Sequence, residues 1–148
     1  MKRFVTMVFA GLALVMSAGA AGKLKVSDLP EAVQKTVQAE TANATIVGIS
    51  KEKEDGIVQY EVETKVNGKV RDFNVDSKGK LIVVEEEVSL DSIPAPAKDA
   101  ILKKVGSGKL GMVETVVKGG KTTYEAAYTP KTGKKTAVVV TADGAVTK

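Results

Sequence analysis

The strongest constraint on this chain is that it repeats itself. Leu29-Pro30 returns as Ile93-Pro94, Gly56 as Gly120 and Tyr60-Glu61 as Tyr124-Glu125, each at an offset of 64. Past the next turn the offset is 65: Gly68-Lys69 matches Gly133-Lys134, Phe73 matches Val138, Val75 matches Val140 and Gly79 matches Gly144. One residue inserted in the turn of the second copy accounts for the change. Self-similarity at a fixed spacing means that each copy is one supersecondary unit. Two units follow, roughly 27–88 and 91–148.

Each unit opens with a helix pattern. Leu29, Val33 and Val37 fall at i, i+4 and i+8 beside Thr36, one apolar stripe. Asp28 is the expected N-cap, with Glu31 three residues on, and Asn43 the expected left-handed stop. Ile93, Ala97, Ile101 and Val105 repeat the stripe, and Gly106 closes it. The period then changes to two. Tyr60, Val62, Thr64 and Val66 alternate with Gln59, Glu61, Glu63 and Lys65, as in a half-buried strand.

Asn67-Gly68 is a strong hairpin signal, because both central residues of that turn need positive φ. Strands are expected at Ala44–Glu52, Gln59–Val66, Arg71–Val75 and Leu81–Val84. In the second unit they are expected at Leu110–Lys118, Thr122–Tyr128, Lys134–Thr141 and Ala145–Thr147. The fold class is therefore α+β: two tandem α-β-β-β-β repeats, each a helix packed on an antiparallel four-stranded sheet. A unit of this size is marginal alone, so the copies are expected to lean on each other.

The first segment reads as an address. Met1-Lys2-Arg3 is a positive start, Phe4 to Met16 is uncharged and apolar, and Ala18-Gly19-Ala20 fits the small-residue cleavage rule. Thirteen apolar residues are too few to span a bilayer, which needs about 20. The expectation is a signal peptide over 1–21, then repeats at 22–88 and 89–148, in a periplasmic or secreted product without stable membrane insertion. The chain has no Cys, so this product uses no disulfide and no lipid-modified cysteine.

Composition narrows function by removing groups. With no His and no Cys there is no imidazole base, no thiolate nucleophile and no Cys/His zinc site. The charge is uneven: 10 basic and 13 acidic groups in 23–88, against 10 and 5 in 89–148. Lysines without interleaved aromatics in an exported chain do not suit nucleic acid.

The paired Leu-Pro and Ile-Pro helix starts, the G-x-x-x-Y-E strand and the D-x-x-G-K turn from Asp76 to Lys80 resemble the PepSY-like domains of bacterial exported proteins. That family is grouped with folds like the β-lactamase inhibitory protein. The resemblance covers about 27–148 and implies a small extracytoplasmic binding or inhibitor-type module with no catalysis. It carries over no inhibitory residue, since Val66-Asn67-Gly68-Lys69 presents no acid at its hairpin tip.

Gly119-Gly120-Lys121-Thr122 ends like a phosphate loop, but the required earlier glycine is Thr115 and the segment joins two strands. A hairpin turn is expected. Glu85-Glu86-Glu87 alternate faces, so only Glu85 and Glu87 converge, and a solvated strand end is expected rather than a cation site. Asn43-Ala44-Thr45 matches a glycosylation sequon, which the bacterial resemblance makes irrelevant. Tyr60, Tyr124 and Tyr128 are expected in the core. Leu81-Ile82-Val83-Val84 and Ala137-Val138-Val139-Val140 are apolar on both faces, so something covers the second face: the other unit, a partner, a ligand or a second copy.

No catalytic, metal or cofactor-binding residue is assigned, no cofactor is implied, and the partner-binding residues are unknown. The expected function is a non-enzymatic binding or inhibitor-type module of the bacterial envelope. Its partner is a protein or peptide, and self-association is allowed for. The alternative is a periplasmic binder of a small ligand or envelope polymer in a groove between the repeats.

Overall fold

The computed structural model describes residues 24–54 and 56–147. The expected leader over 1–21 lies outside the described residues. A short 3-10 turn, Val26–Asp28, precedes helix α1 (Glu31–Glu40), which is followed by strands β1 (Thr45–Glu54), β2 (Ile57–Val66), β3 (Lys69–Asp76) and β4 (Leu81–Val88). A second 3-10 turn, Leu90–Ser92, leads into α2 (Ala95–Val105), then β5 (Lys109–Lys118), β6 (Lys121–Thr129) and β7 (Thr136–Val140).

This architecture corrects the expected fold class. The seven strands form one sheet in the order β1-β2-β3-β4-β5-β6-β7, so the described residues are mostly β with two α-helices, and not two helices each on its own four-stranded sheet. A separate four-stranded meander would leave β4 as an open edge of unpaired backbone groups, and pairing with β5 removes that edge. Thr115 Oγ1 adds a hydrogen bond to the Glu86 carbonyl at 3.5 Å. The eighth strand expected at Ala145–Thr147 reduces to an isolated bridge between Val140 and Val146. Val146 is 52% exposed, so a longer strand there would gain little apolar burial.

The chain divides into two compact units, one made of 24–87 with 115–122 and the other of 88–114 with 123–147. In the first, the stripe of α1 (Val33, Val37), with Leu29 just before it, packs on Ile49, Tyr60, Val62, Phe73 and Val75. In the second, Ala97, Ile101 and Val105 of α2 pack with Ile93, Val113, Ala126, Tyr128, Val138 and Val140, and Tyr124 lies against them half-buried. The three tyrosines thus belong to the core as expected.

The ladder register repeats as well. Tyr60, Glu61 and Val62 pair with Val75, Asn74 and Phe73, and Tyr124, Glu125 and Ala126 pair with Val140, Val139 and Val138.

Positive φ marks several of the turns. Asn67 and Gly68 take φ of 52° and 82° between β2 and β3, as the expected hairpin requires. Gly79 and Gly144 take φ of 86° and 85°. A Cβ on Gly79 would lie 2.5 Å from the Ala32 carbonyl oxygen, and one on Gly144 would lie 2.6 Å from that of Pro96. In both units, therefore, this turn docks on the first turn of the helix with no room for a side chain. Asp76 Oδ1 closes the first such turn by accepting the Lys78 and Lys80 N–H groups at 2.9 Å each. Thr141 does the same work in the second, its Oγ1 accepting the Ala145 N–H at 3.1 Å.

The helix ends differ from expectation. Pro30 is the N-cap of α1, while Asp28 closes the 3-10 turn by accepting the Lys25 N–H at 2.8 Å. Proline at the helix boundary presets φ but has no side-chain acceptor for the backbone N–H groups of the first turn, so α1 starts without a side-chain cap. Thr41, not Asn43, caps the C-terminus of α1. Its hydroxyl donates to the Val37 carbonyl at 2.7 Å, which satisfies an end carbonyl without a left-handed residue.

Candidate binding face

Alternation along β1, β2 and β3 sends Ile49, Val62 and Phe73 toward α1 and the intervening residues to the other face. On that other face the register sets Ser50, Glu61, Asn74 and Val83 side by side across β1 to β4. One step along, Gly48 pairs with Glu63 and Asp72 with Glu85; one step the other way, Glu52 pairs with Gln59. The sequence therefore collects Glu52, Glu61, Glu63, Asp72 and Glu85 on one strand face.

The carboxylates crowd one another. Burial, a hydrogen bond with Glu52 and the charges of Glu52, Glu63 and Asp72 push the Glu61 carboxyl up to about 8. Ser50 Oγ donates to Glu61 Oε2 at 3.4 Å. Burial also raises Asp72, against the lowering effect of the Thr64 N–H that donates to its Oδ1 at 2.9 Å, while the Glu63 charge raises it further. Glu63 reaches across β1 over Gly48, where a Cβ would stand 3.0 Å from its Oε2. Gln59 Nε2 is engaged by Glu54 Oε2 at 2.9 Å.

Asn74 is the exception. It is 6% exposed, and among the described residues its Nδ2 is the buried side-chain polar atom with no hydrogen-bond partner. A buried donor left unmade costs about 1–3 kcal/mol, so its presence calls for an acceptor.

At the α1 edge of the same unit the charges are matched instead. Arg71 donates to Glu40 Oε2 at 2.7 Å, to Glu86 Oε1 at 2.8 Å and to the Glu40 carbonyl at 3.4 Å. Its guanidinium stands 5.6 Å from the Phe73 ring centroid. Burial alone would lower the Arg71 pKa, but the hydrogen bonds and charges of Glu40 and Glu86 outweigh it and raise the group. Glu87 Oε2 accepts the Val70 N–H at 3.0 Å. Glu86 and Glu87 are therefore structural partners of β3 rather than the solvated end expected for 85–87.

In the second unit the face away from α2 carries Glu125, Ala127, Ala137 and Val139, with Glu114 and Glu125 each 4% exposed. A cleft of about 370 Å³ lies against α2, lined by Ala100, Lys103, Lys104, Gly144 and Val146. Gly119 to Thr122 form the β5–β6 turn and the start of β6, as expected of a hairpin. Among the described residues no group of three or more Asp and Glu side chains is arranged to hold a metal ion, and no helix is long and apolar enough to cross a membrane.

From the sequence alone no site residue is assigned, and the crowding of these carboxylates is not evident. The signal was present in part: Glu61 and Glu63 fall at alternate positions of one strand, but their convergence with Glu52, Asp72 and Asn74 needs the pairing register.

No family model matches the chain, and no curated protein sequence matches it. Solved structures do share its fold. A DUF2874 family protein from Bacteroides ovatus is 18% identical, with 81% of this chain and 85% of that chain covered and a TM-score of 0.64. A candidate periplasmic protein from Bacteroides eggerthii is 18% identical, with 81% and 86% covered and a TM-score of 0.64. A BLIP-like protein from Bacteroides fragilis is 18% identical, with 86% of each chain covered and a TM-score of 0.62. The fold is thus that of the BLIP-like group.

Proposed function

We propose that this protein is an extracytoplasmic, non-catalytic module of binding or inhibitor type. In this reading it is PepSY-like in build and presents the sheet face away from α1 to a protein or peptide of the cell envelope. The observation that carries the reading is the crowd of carboxylates on that face, with Glu61 pushed up to about 8. Like charges at this density destabilise the free protein, and an arrangement of that kind belongs to surfaces that meet something. Catalysis is disfavoured by shape: the carboxylates line neighbouring strands of a sheet face, and the cleft against α2 is lined by alanine, glycine, valine and two lysines. The candidate periplasmic description of the Bacteroides eggerthii neighbour and the expected leader over 1–21 support an envelope location.

Site-specific photo-crosslinking in the native host tests the reading. A photoreactive residue at Ser50, on the acidic face, should capture one discrete partner, while the same group at Lys35, on the exposed side of α1, should not. Capture from position 35 and silence from position 50 would refute it.

A further inference from the structure

We propose that the Glu52, Glu61, Glu63 and Asp72 face takes an extended, lysine- or arginine-bearing segment of a partner polypeptide, with a backbone carbonyl of that segment accepting from Asn74 Nδ2. This rests on the reading of the strand face as the binding surface and gives its occupant a chemistry. The carboxylates ask for a cation. Asn74 asks for something else: its Nδ2 is a donor without a partner, on the same cross-strand row as Glu61. A metal ion or a polyamine supplies positive charge but no hydrogen-bond acceptor, and so leaves Asn74 unsatisfied. A basic residue in an extended chain supplies both, its side chain and a carbonyl lying within the ~5 Å that separates neighbouring strand positions.

The chain contains its own control. At the corresponding places of the second copy, offset by 64 or 65, Glu52 is Val116, Glu63 is Ala127, Asp72 is Ala137 and Asn74 is Val139; only Glu61 keeps its carboxylate, as Glu125. The ladder register between the two central strands is the same in both copies. The strands thus form without these polar groups, and the first copy carries them for another purpose. Gly48 fits the same account, since Glu63 Oε2 lies where a side chain at 48 would stand.

The test uses nine-residue peptides alternating valine with lysine, with acetyl-lysine or with glutamate, and spermidine as the small cation. Binding is read by calorimetry and by the side-chain amide resonance of Asn74. The lysine peptide should bind and move that resonance. Glu61→Gln with Glu63→Gln should weaken it by about tenfold, a change of about 1.4 kcal/mol, and Asn74→Ala should weaken it without changing the dependence on salt. The thermal melt of each variant checks that it folds. Equal binding of spermidine would make the site one for small cations and overturn the proposal. Equal binding of the acetyl-lysine peptide would replace charge by strand pairing and overturn it too. Self-association that Glu61→Gln with Glu63→Gln dissolves would make a second copy of this chain the occupant, also against it. If no basic peptide binds while the Ser50 crosslinker still captures a partner, this inference fails and the face reading stands; a silent Ser50 removes both.

Discussion

Arg71 in β3 and Thr136 in β7 occupy corresponding places in the two halves, and the halves are fastened differently around them. In the first, Arg71 ties the end of α1 to β3 and β4 through Glu40 and Glu86. Thr36 adds a hydroxyl bond to the Gly79 carbonyl at 2.6 Å, and Phe73 fills the centre of the core at 0% exposure. In the second, Thr136, Lys104, Ala100 and Val138 stand where Arg71, Glu40, Thr36 and Phe73 stand in the first. The helix and its turn nevertheless dock in the same way, Gly144 on Pro96 as Gly79 on Ala32. The shared glycine turn and apolar stripe therefore define the architecture, while the polar clamps are additions that only one half carries.

The largest effect expected from this contrast lies in the cores. Phe73→Ala should cost about 3–5 kcal/mol, as truncation of a fully buried aromatic does. Val138→Ala should cost about 2 kcal/mol, since fewer methyl groups are lost. Urea denaturation of the two variants decides the point, and equal losses would break the contrast between a deep core and a shallower one. Next come the paired turns. Gly79→Ala and Gly144→Ala should each cost about 1–3 kcal/mol and match one another, because both put a Cβ on a helix carbonyl at positive φ. A neutral result at either position would show that its turn can lift from the helix.

Arg71→Met should be milder, about 1–2 kcal/mol from charge-assisted bonds that are partly open to water. Its converse sharpens the comparison. Thr136→Arg with Lys104→Glu builds part of the clamp into the second half, and should raise the melt by no more than about 1 kcal/mol of stability. A larger gain would make the missing clamp the chief difference between the halves.

The reach of the sequence follows the range of the interactions. Helical stripes at Val33–Val37 and Ala97–Ile101–Val105, the strand alternation around Tyr60, and the Asn67-Gly68 turn are encoded within a few residues, and the structure has them there. Helix starts were misplaced because Pro30 supplies a preset φ where Asp28 offered a capping side chain, and local rules do not rank the two. The single sheet escaped notice for a different reason. Pairing of β4 with β5 joins segments separated by α2 and is driven by an edge, and an edge is visible only once the strands are assembled. Repetition also encouraged an eighth strand, which Ala145-Val146-Thr147 has too little buried surface to hold. The acidic face depends on register, a property of strand pairs, so Glu61 met Asn74 only when β2 and β3 were laid together.

The smallest effect concerns that face and pH. Glu61 sits at about 8 in the folded chain, above the ordinary carboxylate value it takes when unfolded, because burial and then Glu52, Glu63 and Asp72 disfavour its charge. Between those two values the folded chain holds a proton that the unfolded chain has released. Stability from this group is therefore full below the unfolded value and is lost as pH rises through about 8. Asp72 is raised as well and adds to the loss with the same sign. Water still reaches part of Glu61, so the whole change should stay at or below about 1 kcal/mol. Melts recorded from pH 4 to 9 should show a falling limb in the parent chain that flattens in Glu61→Gln. Glu52→Gln should remove part of it, because it takes away the carboxylate that shares a hydrogen bond with Glu61. A limb of equal slope in Glu61→Gln would mean that the strand face spaces its carboxylates widely enough to ionise independently. The first half would then differ from the second in composition on that face but not in stored repulsion.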